Sequence, residues 1–78
     1  MPPQFTQGDI LRMLKHSHFQ QVKKGSKVWL GSANGEKRTV TFHYHKDRDP
    51  MRVGTAEAIA HQFGFKNLTE MRIYLSAL

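Results

Sequence analysis

Residues 23–47 have the sequence KKGSKVWLGSANGEKRTVTFHYHKD, and this stretch decides the fold. β-Branched and aromatic residues recur in it between turn residues, at the spacing of β-hairpins. Asn34-Gly35 is the strongest short signal for a hairpin turn, and Lys24-Gly25-Ser26 is typical of an earlier tight turn. Together with the residues just before it, the stretch predicts three short antiparallel strands, over residues 19–23, 27–31 and 38–45.

Side chains of the second predicted strand alternate between its two faces. Val28 and Leu30 share one face, while Lys27 and Trp29 share the other. Because apolar side chains pack inward against helices, we expect Val28 and Leu30 in the core, together with Val22 from the first strand. The same alternation predicts that Lys27 and Trp29 lie on the open face or at the rim of the sheet.

The third predicted strand shows the same period of two. Val40, Phe42 and Tyr44 fall on one face, and His43 and His45 fall on the other with threonines. We expect the first set to pack against helices. The two histidines are then expected on the open face of the sheet.

A helical pattern precedes the strands. Thr6 and Asp9 have the spacing of a capping box, and they open a helix predicted over residues 7–15. Its expected apolar stripe comprises Ile10, Leu11 and Leu14, with Met13 at the margin.

Two further helices are predicted after Pro50. Gly54-Thr55 can supply a turn and an N-cap for the first helix, and Gly64 supplies its stop. Asn67 opens the second helix through a capping box with Glu70. The expected buried stripes are Ala56, Ile59, Ala60 and Phe63, and then Leu68, Met71, Leu75 and Leu78.

The predicted order is α-β-β-β-α with a short C-terminal helix. This is an α+β fold in which helices cover one face of a three-stranded antiparallel sheet. A chain of 78 residues suits one domain with a small core, so residues 1–78 are expected to form a single domain. With no apolar run of about 18 residues and no signal-peptide pattern at its start, the chain is expected to be cytoplasmic and without a membrane partner.

The composition narrows the possible functions. The absence of cysteine excludes disulfide frameworks, thiolate zinc sites and cysteine-nucleophile catalysis. Twelve Lys and Arg against six Asp and Glu give a net charge of +6, and eight of the basic residues but only three acidic ones lie between residues 23 and 52. This distribution favours an anionic partner, for which RNA is one candidate.

The residue types in the basic stretch also suit RNA cleavage. Cleavage without a metal needs a base for the 2′-OH proton, donors for the developing phosphorane charge and an acid for the leaving oxygen. Histidine has an ordinary pKa of about 6.5 and suits the base or acid role, whereas lysine suits charge stabilisation. We therefore expect His43 or His45 to transfer protons and Lys27 to hold the phosphate. No third metal ligand and no cofactor fingerprint accompany them, so we expect neither a metal nor a cofactor.

The candidate RNA-binding residues are Lys23, Lys24, Ser26, Trp29 and Arg38. Trp29 can stack on a base, worth about 1–3 kcal/mol, or it can pack beneath a helix. The lysines can hold phosphates or can simply be solvated.

Four short motifs occur along the chain: KGS at 24–26, VTFHYH at 40–45, MRVGT at 51–55 and FGF at 63–65. In this order, and with this element pattern, the chain resembles the HicA toxins from Ile10 to Leu75. The resemblance implies a fold like that of double-stranded-RNA-binding domains, cleavage of mRNA, and neutralisation by a HicB-like antitoxin protein.

The resemblance carries over residue by residue with two departures, at Lys27 and at Thr41. The family's turn motif is Lys-Gly-Ser-His with a catalytic histidine, and here Lys24-Gly25-Ser26 match while Lys27 replaces the histidine. The family's Val-Pro-x-His pattern corresponds to Val40-Thr41-Phe42-His43, or else its histidine aligns with His45. Gly54-Thr55 match a helix-opening Gly-Thr whose role in the family is structural.

Three functions therefore remain open. The chain can be a HicA-like endoribonuclease toxin. It can be a relative that binds RNA or an antitoxin without cleaving. It can also be a small basic phage or plasmid protein that docks an acidic protein surface.

Overall fold

The computed structural model describes residues 4–33 and 35–78, and it has three helices and a three-stranded antiparallel sheet. The elements are α1 (Gln7–His16), β1 (Gln20–Gln21), β2 (Val28–Ala33), β3 (Glu36–Thr41), α2 (Val53–Phe63) and α3 (Leu68–Ser76). The predicted α+β class and the α-β-β-β-α order with a short C-terminal helix are confirmed.

The strands lie in the order β1-β2-β3, and β1 and β3 are shorter than predicted, whereas β2 has six residues and extends two residues further than expected. β1 has two residues, and β3 ends at Thr41 rather than at residue 45. Ala33 pairs with Glu36, so the β2–β3 hairpin closes through a loop of two residues. Gly35 in this loop has a φ of 78°, as such a turn requires, whereas Asn34 lies outside the described residues.

Helix α1 begins with the predicted capping box. The Thr6 backbone N–H donates to the Asp9 carboxylate at 3.0 Å, and the Asp9 backbone N–H donates to the Thr6 hydroxyl at 3.3 Å. Its fully buried residues are Ile10, Met13 and Leu14. Met13 is therefore central and Leu11 marginal, the reverse of the expectation, because Leu11 lies about 100° around the helix from Ile10.

Helices α2 and α3 form near their predicted positions, and their ends differ from the prediction by a few residues. Helix α2 begins at Val53, so Thr55 lies inside its first turn and is not the N-cap. Gly64 ends the helix with a φ of 113°, as predicted. In α3 the Asn67 side chain accepts from the Glu70 N–H at 2.9 Å, as predicted, but the Glu70 carboxylate accepts from the Lys66 N–H at 2.8 Å, so the predicted capping box is only half formed. Leu78 lies beyond the helix and is exposed.

The core lies between the helices and one face of the sheet. The face of β2 that packs into this core is the opposite of the predicted one. Trp29 and Val40 pair directly opposite each other, and both are buried. Leu30 is 49% exposed, Val22 is 57% exposed and Val28 is half-buried, so none of the three belongs to the core, contrary to the prediction. Residues opposite each other in an antiparallel pair share a face, and the two-residue loop therefore turns Trp29 inward with Val40. Phe42 is buried, as expected.

Gly31 is required by the packing of Phe19 on the inner face of the sheet. The Phe19 ring stacks on Phe63 with 5.0 Å between centroids. A Cβ atom at Gly31 would lie 2.5 Å from that ring, so only glycine leaves room for it.

Gly31→Ala should lower the free energy of unfolding by about 1–3 kcal/mol, since the added methyl overpacks the core. Gly54→Ala is the matched control, because a Cβ at Gly54 meets no heavy atom within 4 Å and that residue lies in α2. The control should be neutral or slightly stabilising. Urea unfolding of both variants measures the difference, and equal stability of the two would show that Phe19 does not occupy this position.

Candidate functional site

The first hairpin turn and the segment after β3 lie at the same end of the sheet. The Phe42 backbone N–H donates to the Lys27 carbonyl at 2.7 Å, which continues the β2–β3 pairing beyond Val28 and Thr41. We call this region, residues 23–27 with residues 42–45, the turn end. It brings Lys27 beside the segment that carries His43 and His45.

Three hydrogen bonds fix the shape of the first hairpin turn. The Ser26 N–H donates to the Lys23 carbonyl at 2.9 Å. The Ser26 hydroxyl accepts from the Val28 N–H at 3.0 Å, and the Gln21 side-chain amide donates to the Ser26 carbonyl at 2.6 Å. Ser26 is therefore partly buried as a structural residue of the turn, and its hydroxyl retains one proton to donate.

The lysines of the turn end are exposed. Lys23, Lys24 and Lys27 all have high solvent exposure. Among the described residues, the ion pairs involve arginine side chains and none of these lysines. Three cations on a short, hydrogen-bonded turn form a positive surface that is available to an anion.

The two histidines contact each other. His43 and His45 are both exposed, and their ring centroids are 4.3 Å apart at an angle of 45°. Their segment is held by α1, because the Gln7 side-chain carbonyl accepts from the His45 N–H at 2.5 Å and from the Lys46 N–H at 3.3 Å. The first turn of α1 thus positions a loop that is distant from it in sequence.

Further contacts tie the same loop to α1. The Tyr44 hydroxyl donates to the Asp47 carboxylate. The Gly8 N–H donates to the Asp47 carbonyl at 2.9 Å, and the Gln7 N–H donates to the Asp49 carbonyl at 2.8 Å. The hydrogen bond to Asp47, followed by burial and by the charges of Asp47 and Asp49, raises the pKa of the Tyr44 hydroxyl above its ordinary value.

The structure corrects two of the predicted site residues. Trp29 is 6% exposed, and its indole N–H donates to the Phe42 carbonyl at 3.2 Å, so its placement on the open face was wrong. A ring packed in the core has no free face for a nucleobase. The predicted interface loses Trp29, which instead anchors β2 to the residue that precedes His43.

Arg38 does not join the lysines. It pairs with Gly31, which lies toward the other end of the hairpin from Lys27, and its guanidinium contacts Glu36 at 2.9 Å. Four strand positions separate residues 38 and 42, or about 13 Å. Of the predicted RNA-binding residues, Arg38 therefore lies apart from the lysines of the turn end.

His43 and His45 are exposed as predicted, but they do not lie on a strand. Because β3 ends at Thr41, both belong to the following loop. Sequence reasoning missed Gln7, which holds this loop from 38 residues away. No local pattern signals such a contact, since the glutamine looks like an ordinary polar residue in the first turn of a helix.

The histidine pair does not form a metal centre in the part of the chain that the structure describes. No cluster of three or more histidine, aspartate, glutamate or cysteine side chains there has the geometry of a metal site. Two imidazoles alone leave most of a tetrahedral coordination shell unfilled.

The comparisons with known proteins add no identification. Neither a family model, nor a curated protein, nor a solved structure matches this chain. Within residues 4–33 and 35–78, no helix has the length and apolar character to cross a bilayer.

Asp47→Asn should return the pKa of Tyr44 toward the ordinary tyrosine value, because it removes the charge that favours the protonated hydroxyl. Since the folded-state pKa is raised, the hydrogen bond stabilises the fold below the ordinary pKa of about 10 and is lost as the pH rises through the folded value. Ultraviolet difference titration measures this, with Tyr44→Phe identifying the Tyr44 signal. An unchanged titration in Asp47→Asn would show that the contact is absent in solution.

Proposed function

We propose that this protein is a HicA-like RNA-binding toxin whose turn end holds an RNA phosphate and cleaves mRNA without a metal. The observation that carries the proposal is the pairing of Lys27 with Phe42, which joins the lysine turn to the histidine segment. The α-β-β-β-α order agrees with the fold that the resemblance to HicA implies. A HicB-like antitoxin is the corresponding protein partner.

The electrostatics of the turn end support phosphate binding. Lys23, Lys24 and Lys27 project from a turn whose backbone is fixed by the bonds of Ser26. Lysines that neutralise phosphates release counterions from RNA, and this term supplies affinity without regard to sequence. Because the turn is already fixed in the free protein, its backbone loses less conformational entropy when the lysines bind RNA.

The chemistry that we propose uses one histidine for proton transfer. In an in-line displacement, the base and the acid approach the phosphate from opposite sides. Two rings packed at 4.3 Å approach from the same side, so His43 and His45 do not form such a pair in this arrangement. One ring takes the 2′-OH proton, and the other packs against it and fixes its orientation. The 2′-oxygen then bonds to phosphorus, the P–O5′ bond breaks, and the departing 5′-oxygen takes a proton from solvent water, which leaves a 2′,3′-cyclic phosphate and a 5′-hydroxyl end. The ammonium of Lys27 stabilises the charge that develops on the phosphorane oxygens.

The lysine at position 27 distinguishes this chain from the HicA pattern. An ammonium is a good phosphate donor and a poor base near neutral pH, so Lys27 does not take over the histidine's proton-transfer role. In the proposal, one of the two imidazoles at the same end of the sheet carries out the proton transfer. The role of charge stabiliser is then filled by Lys27.

Lys24→Ala combined with Lys27→Ala should weaken binding to single-stranded RNA. In a plot of the logarithm of the binding constant against the logarithm of the salt concentration, the slope should become shallower by about 1.4, because two phosphate contacts are lost. Fluorescence anisotropy over a salt series measures both quantities. The matched control, Arg48→Ala with Arg52→Ala, removes the same charge at exposed residues outside the turn end. If both double variants lose affinity equally, net charge alone explains the binding and the turn end is not the site.

His43→Ala and His45→Ala should separate the two histidine roles. Loss of the proton-transfer group should reduce cleavage of a long RNA by about 10²- to 10⁴-fold, and loss of the other ring should reduce it less. Both side chains are exposed, so folding should be little affected, by about 0.5 kcal/mol or less. Thermal unfolding is the control. A parent without cleavage activity, whose Lys27→His variant gains it, would contradict the catalytic proposal and leave RNA binding standing.

A second candidate function rests on the uncovered face of the sheet. Val22 and Leu30 are 57% and 49% exposed, and Val28 between them is half-buried. An apolar strip beside lysines favours a protein-binding relative that does not cleave RNA, and its partner would carry an acidic surface. A parent that does not cleave RNA, and that co-purifies with the product of an adjacent reading frame in a complex lost in Leu30→Ser but kept in His43→Ala, would favour this candidate over the toxin.

A further inference from the structure

A cavity of about 320 Å³ lies at the opposite end of the molecule from the turn end. The C-terminal end of α1, with His16 and Ser17, forms one side. The last residues of β2, Ser32 and Ala33, form another. Residues 63, 65 and 74 complete it with aromatic rings. The proposed RNA site uses none of these residues.

The aromatic wall of the cavity is backed by the core. Phe65 stacks on Phe63 with 5.1 Å between centroids, and Phe63 is 4% exposed. The Phe65 and Tyr74 rings are 5.6 Å apart, and both are partly exposed. The buried Phe63 thus supports the rings of Phe65 and Tyr74, which still reach solvent. Because these rings are already held in place, a ligand that stacks on them costs little conformational entropy.

Hydrogen-bonding groups line the edge of the same cavity. The Tyr74 and Ser17 hydroxyls are 2.6 Å apart, and Nδ1 of His16 lies 3.3 Å from the Tyr74 hydroxyl. The His16 ring also meets Tyr74 edge-on, with 6.2 Å between centroids. Each hydroxyl can accept a second hydrogen bond, and the imidazole has a further ring nitrogen. A ligand in the cavity therefore meets flat apolar faces and a polar edge together.

We propose that this cavity binds a nucleobase of the RNA strand whose phosphate is held at the turn end. Proteins recognise unpaired bases by stacking them on aromatic rings and by hydrogen bonds to their edges, which are the two features present here. A positively charged chain favours a ligand that carries phosphate over a neutral aromatic compound. This inference rests on the proposed RNA-binding function and extends it to a second subsite.

The separation of the two sites suits a short single strand. β2 runs from Val28 at the turn end to Ala33 at the cavity, which corresponds to about 17 Å. At the duplex spacing of about 3.4 Å per nucleotide this covers roughly five nucleotides, and fewer when the strand is extended. One RNA of modest length can therefore reach both sites.

The test is an NMR titration of the parent protein with adenosine monophosphate and, separately, with single-stranded RNA of about ten nucleotides. The amide signals of Ser17, Phe65 and Tyr74 should shift saturably with the RNA and more weakly with the mononucleotide. Shifts produced equally well by the free nucleotide would identify a nucleotide site and overturn the link to RNA. No shift at these residues with either probe would overturn the proposal entirely.

Phe65→Leu provides the quantitative test. It keeps an apolar side chain against Phe63 but removes the stacking face, so RNA affinity should fall roughly 5- to 150-fold, the range expected for one stacked base. The salt slope should not change, because no phosphate contact is lost. Tyr74→Phe, which keeps the ring and removes the hydroxyl, should reduce discrimination among the four bases and leave most of the affinity.

The outcomes separate the cavity from the proposed function. If Lys24→Ala with Lys27→Ala weakens RNA binding and a folded Phe65→Leu does not, the cavity proposal is wrong and the RNA-binding proposal stands. If the parent binds no RNA at all, the proposed function fails, and the cavity proposal fails with it. Should Phe65→Leu not fold, the titration of the parent still decides, since it requires no variant.

Discussion

The pairing of Trp29 with Val40 is the constraint on which the rest of the structure depends. It follows from a hairpin that closes through two residues between Ala33 and Glu36. This register turns Trp29 into the core, and its indole N–H then reaches the Phe42 carbonyl. The same register leaves Gly31 beneath the Phe19 ring. A shift of one residue would exchange the two faces of β2 and would remove each of these contacts.

The register also assembles the candidate site. Two steps along the strands from Trp29 and Val40, Lys27 meets Phe42 through a backbone hydrogen bond. The chain leaves the sheet at this point, and Gln7 of α1 takes up the backbone N–H groups that no strand satisfies. His45 and Lys46 are exposed, so the Gln7 side chain replaces water as the partner of these N–H groups and thereby ties the loop to α1. Residues 43–46 are therefore held by hydrogen bonds to α1 and not by strand pairing.

The two ends of the sheet differ in chemistry. The turn end carries lysines and imidazoles on an exposed, hydrogen-bonded backbone. The other end carries aromatic rings supported by Phe63, with hydroxyls at their edge. In the proposed RNA complex these two ends have complementary roles, because binding of phosphate by charge is independent of sequence and binding of bases by rings is not. The proposal of two subsites for one strand rests on their placement at opposite ends of β2.

The sequence by itself determined the order of the elements, the caps of α1 and α3, the faces of β3 and the exposure of the lysine turn. These features depend on neighbours within a few residues, such as Thr6 with Asp9 or the alternation around Val40. The face of β2 was also encoded in the sequence, since a two-residue loop after Ala33 sets Trp29 opposite Val40, but alternation within β2 alone does not reveal it. Only the tertiary structure decided the end of β3 at Thr41, the support of the histidine loop by Gln7, and the meeting of Ser17 with Tyr74 across 57 residues. Such contacts depend on how helices pack on a sheet, and packing is a property of the whole chain that no local pattern contains.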